Sequence, residues 1–308
     1  MKLHPSQYII DEKSILTYYE IRNSKPKLLL LHAQGTDSSS YAGIAKKLAK
    51  HYHIYLVDYY GHGKSSHNRE KYHLSRIGDD IISFIEHVIR DTVTVSGHSS
   101  GGLIAAYIAA NSDLCTKLIL EDPPFFSCIG DRRYNTYNYK DLSSVCHDFL
   151  AQDKESDFVY YYFVHQYCWN FFPDNSRETV RNKLSALART YRTKHPNKNL
   201  KVPFWPKQFL EGFKGMQNYD PFFGEAFHSD SFHRQIDYTQ LLSQITCPTL
   251  FLKANTTIGE NGLLQGALSD SDLAHVGSLI KHMDTVYFDC GHSIHTEKPK
   301  EFAAALIP

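Results

Sequence analysis

The residues Thr92-Val93-Thr94-Val95-Ser96-Gly97-His98-Ser99-Ser100-Gly101-Gly102-Leu103 pass from a β-branched stretch, through two glycines spaced around a serine, into a helix-forming run. Gly-x-Ser-x-Gly between a strand and a helix bends the backbone so tightly that flanking side chains would block it, and glycine removes the Cβ atoms. The turn lifts the Ser99 hydroxyl above the sheet. The following helix favours negative charge at its N-terminus, and the Ser100 N–H points toward the same place. Ser99 is therefore a candidate nucleophile, and the Ser100 amide a candidate oxyanion donor.

Outward from this turn, short apolar runs alternate with helical patterns, the sign of βαβ units and a mostly parallel sheet. Strands are expected near Gln7–Asp11, Ile15–Ile21, Lys27–His32, His53–Asp58, Thr92–Ser96 and Lys117–Glu121. Leu74, Ile77, Ile81, Ile85 and Val88 recur at three- and four-residue intervals and predict a helix with one buried stripe. Tyr41–Lys50 and Gly101–Asn111 read as further helices. The pattern changes at Pro123-Pro124. From Phe125 to Phe232 the strand signal fades, and this third of the chain holds well over half of its 21 Tyr, 18 Phe and 2 Trp. Strand character resumes at Thr249–Leu252 and Thr285–Phe288, with helices around Asp272–His282 and Pro299–Leu306. The division is a core built from residues 1–123 and 241–308, with 124–240 inserted.

Composition narrows the function. Lys+Arg (33) balance Asp+Glu (33), which speaks against broad electrostatic binding of nucleic acid or an anionic membrane. The longest nearly apolar stretch, Gly101–Ala110, is too short to span a bilayer. Met1 to Tyr8 lacks the apolar region of a secretory signal. The six cysteines contain no Cys-x-x-Cys pair and read as reduced thiols of a cytoplasmic protein. The 18 histidines include no His-Glu-x-x-His spacing, so no metal or cofactor is expected. Gly63-Lys64-Ser65 follows a strand, but a phosphate loop would need glycine where Asp58 stands, and a carboxylate there repels phosphate.

With these residues the chain resembles the α/β-hydrolase family over nearly all its length outside the aromatic segment. The resemblance implies a mostly parallel eight-stranded sheet flanked by helices, with a cap inserted after the sixth strand. The family's first βα loop, normally His-Gly-x-Gly, is matched by His32-Ala33-Gln34-Gly35, which makes the Gln34 N–H the second oxyanion donor. The family's turn Asp-x-x-Gly-His-Gly-x-Ser is matched by Asp58-Tyr59-Tyr60-Gly61-His62-Gly63-Lys64-Ser65 and is architectural. The family's base follows the last strand, here His292 in Asp289-Cys290-Gly291-His292-Ser293-Ile294-His295. His295 reads as a supporting or surface residue, and His98 as a packing residue.

The resemblance breaks at the acid. Many members carry an aspartate a few residues beyond Pro-Thr-Leu, and that place is Thr257 here, whose hydroxyl cannot stabilise an imidazolium as a carboxylate does. Some relatives place the acid after the sixth strand, where this chain reads Leu118-Ile119-Leu120-Glu121-Asp122-Pro123-Pro124. Asp122 is the first choice. Glu121, one residue back on the strand, projects to the opposite face, and Glu260 is the third alternative. The implied chemistry is cofactor-free cleavage of a small hydrophobic ester or lactone through an acyl-enzyme. Peptide, thioester and carbon–carbon hydrolysis use the same residues in this family. The rival is a ligand-binding or receptor-like protein with weak turnover, which Thr257 supports. Serine as nucleophile speaks against dehalogenase and epoxide hydrolase chemistry.

Overall fold

The structure, a computed structural model, describes residues 4–205, 212–259 and 261–307. Its strands are β1 (Pro5–Asp11), β2 (Ser14–Ile21), β3 (Lys27–Leu31), β4 (His53–Asp58), β5 (Val93–His98), β6 (Cys115–Glu121), β7 (Thr249–Lys253), β8 (Thr257–Ile258), β9 (Leu264–Gln265) and β10 (Met283–Tyr287). Eight of them form one sheet in the order β1-β2-β4-β3-β5-β6-β7-β10. β1/β2 and β2/β4 are antiparallel, and every neighbouring pair from β4 across to β10 is parallel. The runs expected from the sequence all lie in this sheet, with ends displaced by a residue or two. The ribbon of β8 and β9 was not expected, because two-residue strands carry no periodicity.

The sheet is covered on both faces, as parallel strands require. Successive side chains point to opposite sides of a strand. Leu28, Leu30, Ile54 and Leu56 accordingly pack with helices α1 (Ala42–Leu48) and α11 (Pro299–Leu306), while Leu29, Leu31, Val57 and Val95 pack with α2 (Leu74–Phe84) and α3 (Ser100–Asn111). α3 is apolar nearly all round and is buried accordingly. In α2 the stripe Leu74, Ile77, Ile81 and Phe84 is fully buried. The predicted continuation to Val88 is altered: the helix widens into a π turn at Ile85–Ile89 and ends on Arg90 at φ 54°. The wider turn buries Ile85 and Ile89 and leaves Val88 half-buried.

Between β6 and β7 the described chain is helical, with α4 (Ser144–Leu150), α5 (Phe158–His165), α6 (Asp174–Lys194), α7 (Pro221–His228) and α8 (Tyr238–Ser243). Many of its rings pack on one another: Trp169 lies 4.7 Å from Trp205, and Phe163 lies 5.6 and 5.2 Å from these two. One of the stretches that tie the segment to the core runs through Asp220 and Phe223. Tyr72 donates its hydroxyl hydrogen to Asp220 (2.6 Å), the Asp220 amide bonds the Gly61 carbonyl (2.8 Å), and Phe223 packs 4.6 Å from His62. Two helices of the second core segment, α9 (Asp270–Leu279) and α10 (Ile294–Glu297), complete the chain with α11. No helix among the described residues is long and apolar enough to cross a membrane, and all six cysteines are free thiols.

Burial keeps several imidazoles neutral. His98 and His233 are each pushed down to about 3 by desolvation, from an ordinary 6.5, and burial lowers His32 and His62 as well. A histidine neutral in the fold takes up a proton on unfolding once the pH is below 6.5. Stability is therefore independent of these groups above 6.5 and falls as pH falls from there toward 3. Each such histidine should add about 1.4 kcal/mol per pH unit to the slope inside that window. Chemical denaturation at a series of pH values should show His233→Phe with a shallower acid slope than wild type; equal slopes would place the acid sensitivity elsewhere.

Candidate active site

The turn between β5 and α3 holds Ser99 at φ 55°, ψ −118°, a region that side chains other than glycine rarely enter. Its neighbours explain the glycines. A Cβ on Gly97 would lie 2.1 Å from the Gly101 carbonyl oxygen, and one on Gly101 would lie 2.3 and 2.4 Å from the carbonyl oxygens of His32 and Leu31. Backbone meets backbone at both points. The Ser99 amide bonds the Glu121 carbonyl at 2.9 Å, while its own carbonyl accepts from Gly102 (2.8 Å) and Leu103 (3.1 Å). The strained residue is thus tied to β6 on one side and to α3 on the other.

At the end of β6 the chain also enters positive φ, at Asp122 (45°). This turn aims the fully buried Asp122 carboxylate at His292, whose Nδ1–H donates to Oδ2 at 2.8 Å. Nε2 is left free for another partner, and the His292 side chain is 38% exposed. On its other oxygen Asp122 meets the Ala254 amide (3.4 Å) and the Lys253 ammonium (3.9 Å). Lys253 is itself buried, donating to the Ala254 carbonyl (2.5 Å) and the Thr256 hydroxyl (2.6 Å). This lysine was missed in the sequence. Its only signal was a charge closing the apolar run Thr249–Leu252.

The other acid candidates lie elsewhere. Glu121 is fully buried and turns to His295, accepting from its amide (2.8 Å) and from Nδ1–H (2.8 and 3.0 Å). Burial works to raise the Glu121 carboxyl, but the imidazoles of His295 and His98 and the hydrogen bonds from His295 hold it below the usual range. His295 is buried, not at the surface. His98, beyond packing, donates Nε2–H to the His292 carbonyl at 3.0 Å. Thr257 is exposed on β8 with its hydroxyl 3.4 Å from Gln265. Glu260 lies outside the described residues.

The expected oxyanion loop, His32 to Gly35, sits beside this turn, with Gly35 at φ 74°. Its Gln34 amide side chain donates to the Tyr219 hydroxyl at 2.9 Å, and Met216 and Leu142 crowd Gly35. The helical segment therefore leans on this loop with an apolar face. Ser100 bonds Tyr59 through its hydroxyl (2.9 Å).

Two groups of metal-ligand type occur among the described residues, His98/Glu121/His295 and His147/Glu225/His228. In the first, a hydrogen bond between His295 and Glu121 occupies the carboxylate. In the second, the rings of His147 and His228 stack face to face at 4.0 Å and 12°, so their in-plane lone pairs run side by side instead of converging on one ion.

The model of the alpha/beta hydrolase fold family matches residues 26–299. The chain belongs to this family. It is 26% identical, over 65% of its length and 72% of the relative's, to a Haemophilus influenzae protein whose name contains esterase/lipase. It is 28% identical to the pimeloyl-[acyl-carrier protein] methyl ester esterase of Vibrio cholerae over 38% of this chain and 44% of that protein. The crystal structure of a hydrolase from Pseudomonas aeruginosa shares the fold, with a TM-score of 0.64 at 17% identity over 98% of this chain and 96% of that one. The chain is an α/β hydrolase.

The two kinds of glycine in this chain separate cleanly in a stability test. Gly101→Ala should destabilise by about 3 kcal/mol or more, because the carbonyls it meets belong to a central strand end and cannot yield. Gly43→Ala, in α1 with nothing within 4 Å of the added Cβ, should stabilise by about 0.5–1 kcal/mol. Urea unfolding of both variants checks this pair of opposite signs.

Proposed function

We propose that this hydrolase cleaves an ester or lactone carrying a hydrophobic moiety, using Ser99 as nucleophile, His292 as base and Asp122 as acid. The observation that carries the reading is the 2.8 Å bond between Asp122 and His292 Nδ1, made by the residue that follows Glu121, whose carbonyl accepts the amide of the strained Ser99. The carboxylate fixes the tautomer: with the hydrogen on Nδ1, Nε2 is basic and able to take the Ser99 proton as Oγ attacks the carbonyl carbon. The amides of Gln34 and Ser100 receive the oxyanion. Collapse of the tetrahedral intermediate transfers the proton from Nε2 to the leaving alkoxide. Water, deprotonated by the same nitrogen, then releases the acid and regenerates Ser99.

In this reading residues 124–240 are a cap over the pocket. The apolar contacts of Met216 and Leu142 at Gly35, and of Phe223 near Tyr59 and His62, favour a hydrophobic acyl or alcohol group. The esterase names of the two relatives point the same way. The receptor-like alternative rested on Thr257. It loses that ground if Asp122 supplies the carboxylate.

A fluorophosphonate should label the wild type at one residue and leave Ser99→Ala unlabelled. On short p-nitrophenyl esters, Asp122→Asn should lose about 10⁴-fold in kcat, whereas Thr257→Ala should match the wild type. Labelling that persists in Ser99→Ala, or full turnover in Asp122→Asn, would overturn the assignment.

A further inference from the structure

Behind the Asp122–His292 pair lies a second pair of the same type, which the proposed mechanism does not use. Glu121 and His295 are buried, as is His98. Strands β5 and β6 place His98 and Glu121 opposite each other in register, and the next residues along are Ser99 and Asp122. Each pair of neighbours therefore divides its work. His98 holds the main-chain carbonyl of residue 292 (3.0 Å), while Glu121 holds the amide and ring of residue 295 (2.8 Å each).

The loop between β10 and α10 has no regular structure of its own to fix the His292 ring. Its other ties are two backbone bonds to the end of β7, Phe288 N–H to the Lys253 carbonyl (2.8 Å) and Asn255 N–H to the Cys290 carbonyl (3.0 Å), and two bonds at exposed positions, Asn255 Nδ2 to Asp289 (2.8 Å) and the Gly291 amide to Glu297 (3.0 Å). Besides the Asp122–His292 bond itself, the bonds to His98 and Glu121 join this loop and the first turn of α10 to the buried ends of β5 and β6, and Tyr41 stacks on His295 at 4.4 Å to close the other side. A buried carboxylate that accepts three contacts from one residue holds that residue firmly, since in low dielectric no water offers a substitute.

We infer that His98, Glu121 and His295 form a buried bracket that positions the His292 imidazole against Ser99 and Asp122. They are positioning residues, acting through His292 and touching no substrate. The inference rests on the hydrolase reading above for its kinetic consequence. The placement of the His292 ring is a separate physical claim.

The test uses a matched pair of substitutions at His98. The His98→Gln variant presents a side-chain amide N–H close to where the imidazole Nε2–H stood, whereas His98→Met fills the volume with no donor. Expected for His98→Met, and for Glu121→Leu, is a fall of about tenfold to a hundredfold in kcat and in fluorophosphonate labelling rate, with KM within about twofold. His98→Gln should recover to within about threefold of wild type. In proton NMR the low-field His292 Nδ1–H signal, assigned by its absence in Asp122→Asn, should broaden or move upfield in His98→Met and return in His98→Gln. An unchanged kcat together with an unchanged low-field signal in His98→Met overturns the bracket, even if that variant melts at a lower temperature. If the wild type itself is not labelled at Ser99, the hydrolase reading fails, and the NMR signal alone decides the bracket.

Discussion

The constraint on which the site depends is the absence of room at the end of β5. The backbone of α3 comes back against the ends of β3 and β5 so closely that two Cβ atoms, at 97 and 101, have no place. That approach forces Ser99 into positive φ and makes its amide available to the end of β6. Because β6 is then locked beside the turn, the two carboxylates at its end are delivered to different partners, Asp122 to His292 in the loop after β10 and Glu121 to His295 in α10, 170 and 174 residues later. One local steric fact thereby organises groups from three distant stretches of chain.

Much of this was legible in the sequence, and the legible parts share a physical cause. Strands buried on both faces must be apolar throughout, so Leu28–Leu31 and Ile54–Val57 announce themselves. The Ser99 turn is legible because only glycine fits around it. The acid was harder, since Glu121 and Asp122 are both carboxylates at a strand end. Asp122 stands where the chain leaves the sheet, and the period-2 alternation puts Glu121 on the opposite face, but neither says what waits there.

What stayed hidden was fixed by tertiary contact instead of by local pattern. His295 could have stood at the surface or served as support, and its burial against Glu121 depends on the short α10 packing over the ends of β5 and β6. Lys253 looked like an ordinary polar strand end, yet it lies 2% exposed beside Asp122. The π turn at Ile85–Ile89 shifts the buried stripe from Val88 to Ile89, a change of register that no 3.6-residue period encodes.

The proposed shift of the acid from the stretch after β7 to the end of β6 also explains the structure around Thr257. A segment that carries a catalytic aspartate must hold it to within a fraction of an ångström, which limits what else the segment can do. Here the described residues of 254–272 carry no such group in the proposed mechanism, and 264–272 tie the helical segment to the core. Leu264 bridges to Thr136, the Ser127 hydroxyl bonds the Ala267 carbonyl, and Arg132 grips Asp272 through both oxygens at 2.8 Å. A bidentate guanidinium–carboxylate pair fixes orientation as well as distance. Lys253 fits the same logic: with no aspartate to face at its own strand end, its ammonium turns to the Ala254 carbonyl and the Thr256 hydroxyl and sets a positive charge 3.9 Å from Asp122. That charge helps offset the cost of keeping the Asp122 carboxylate in a dry interior.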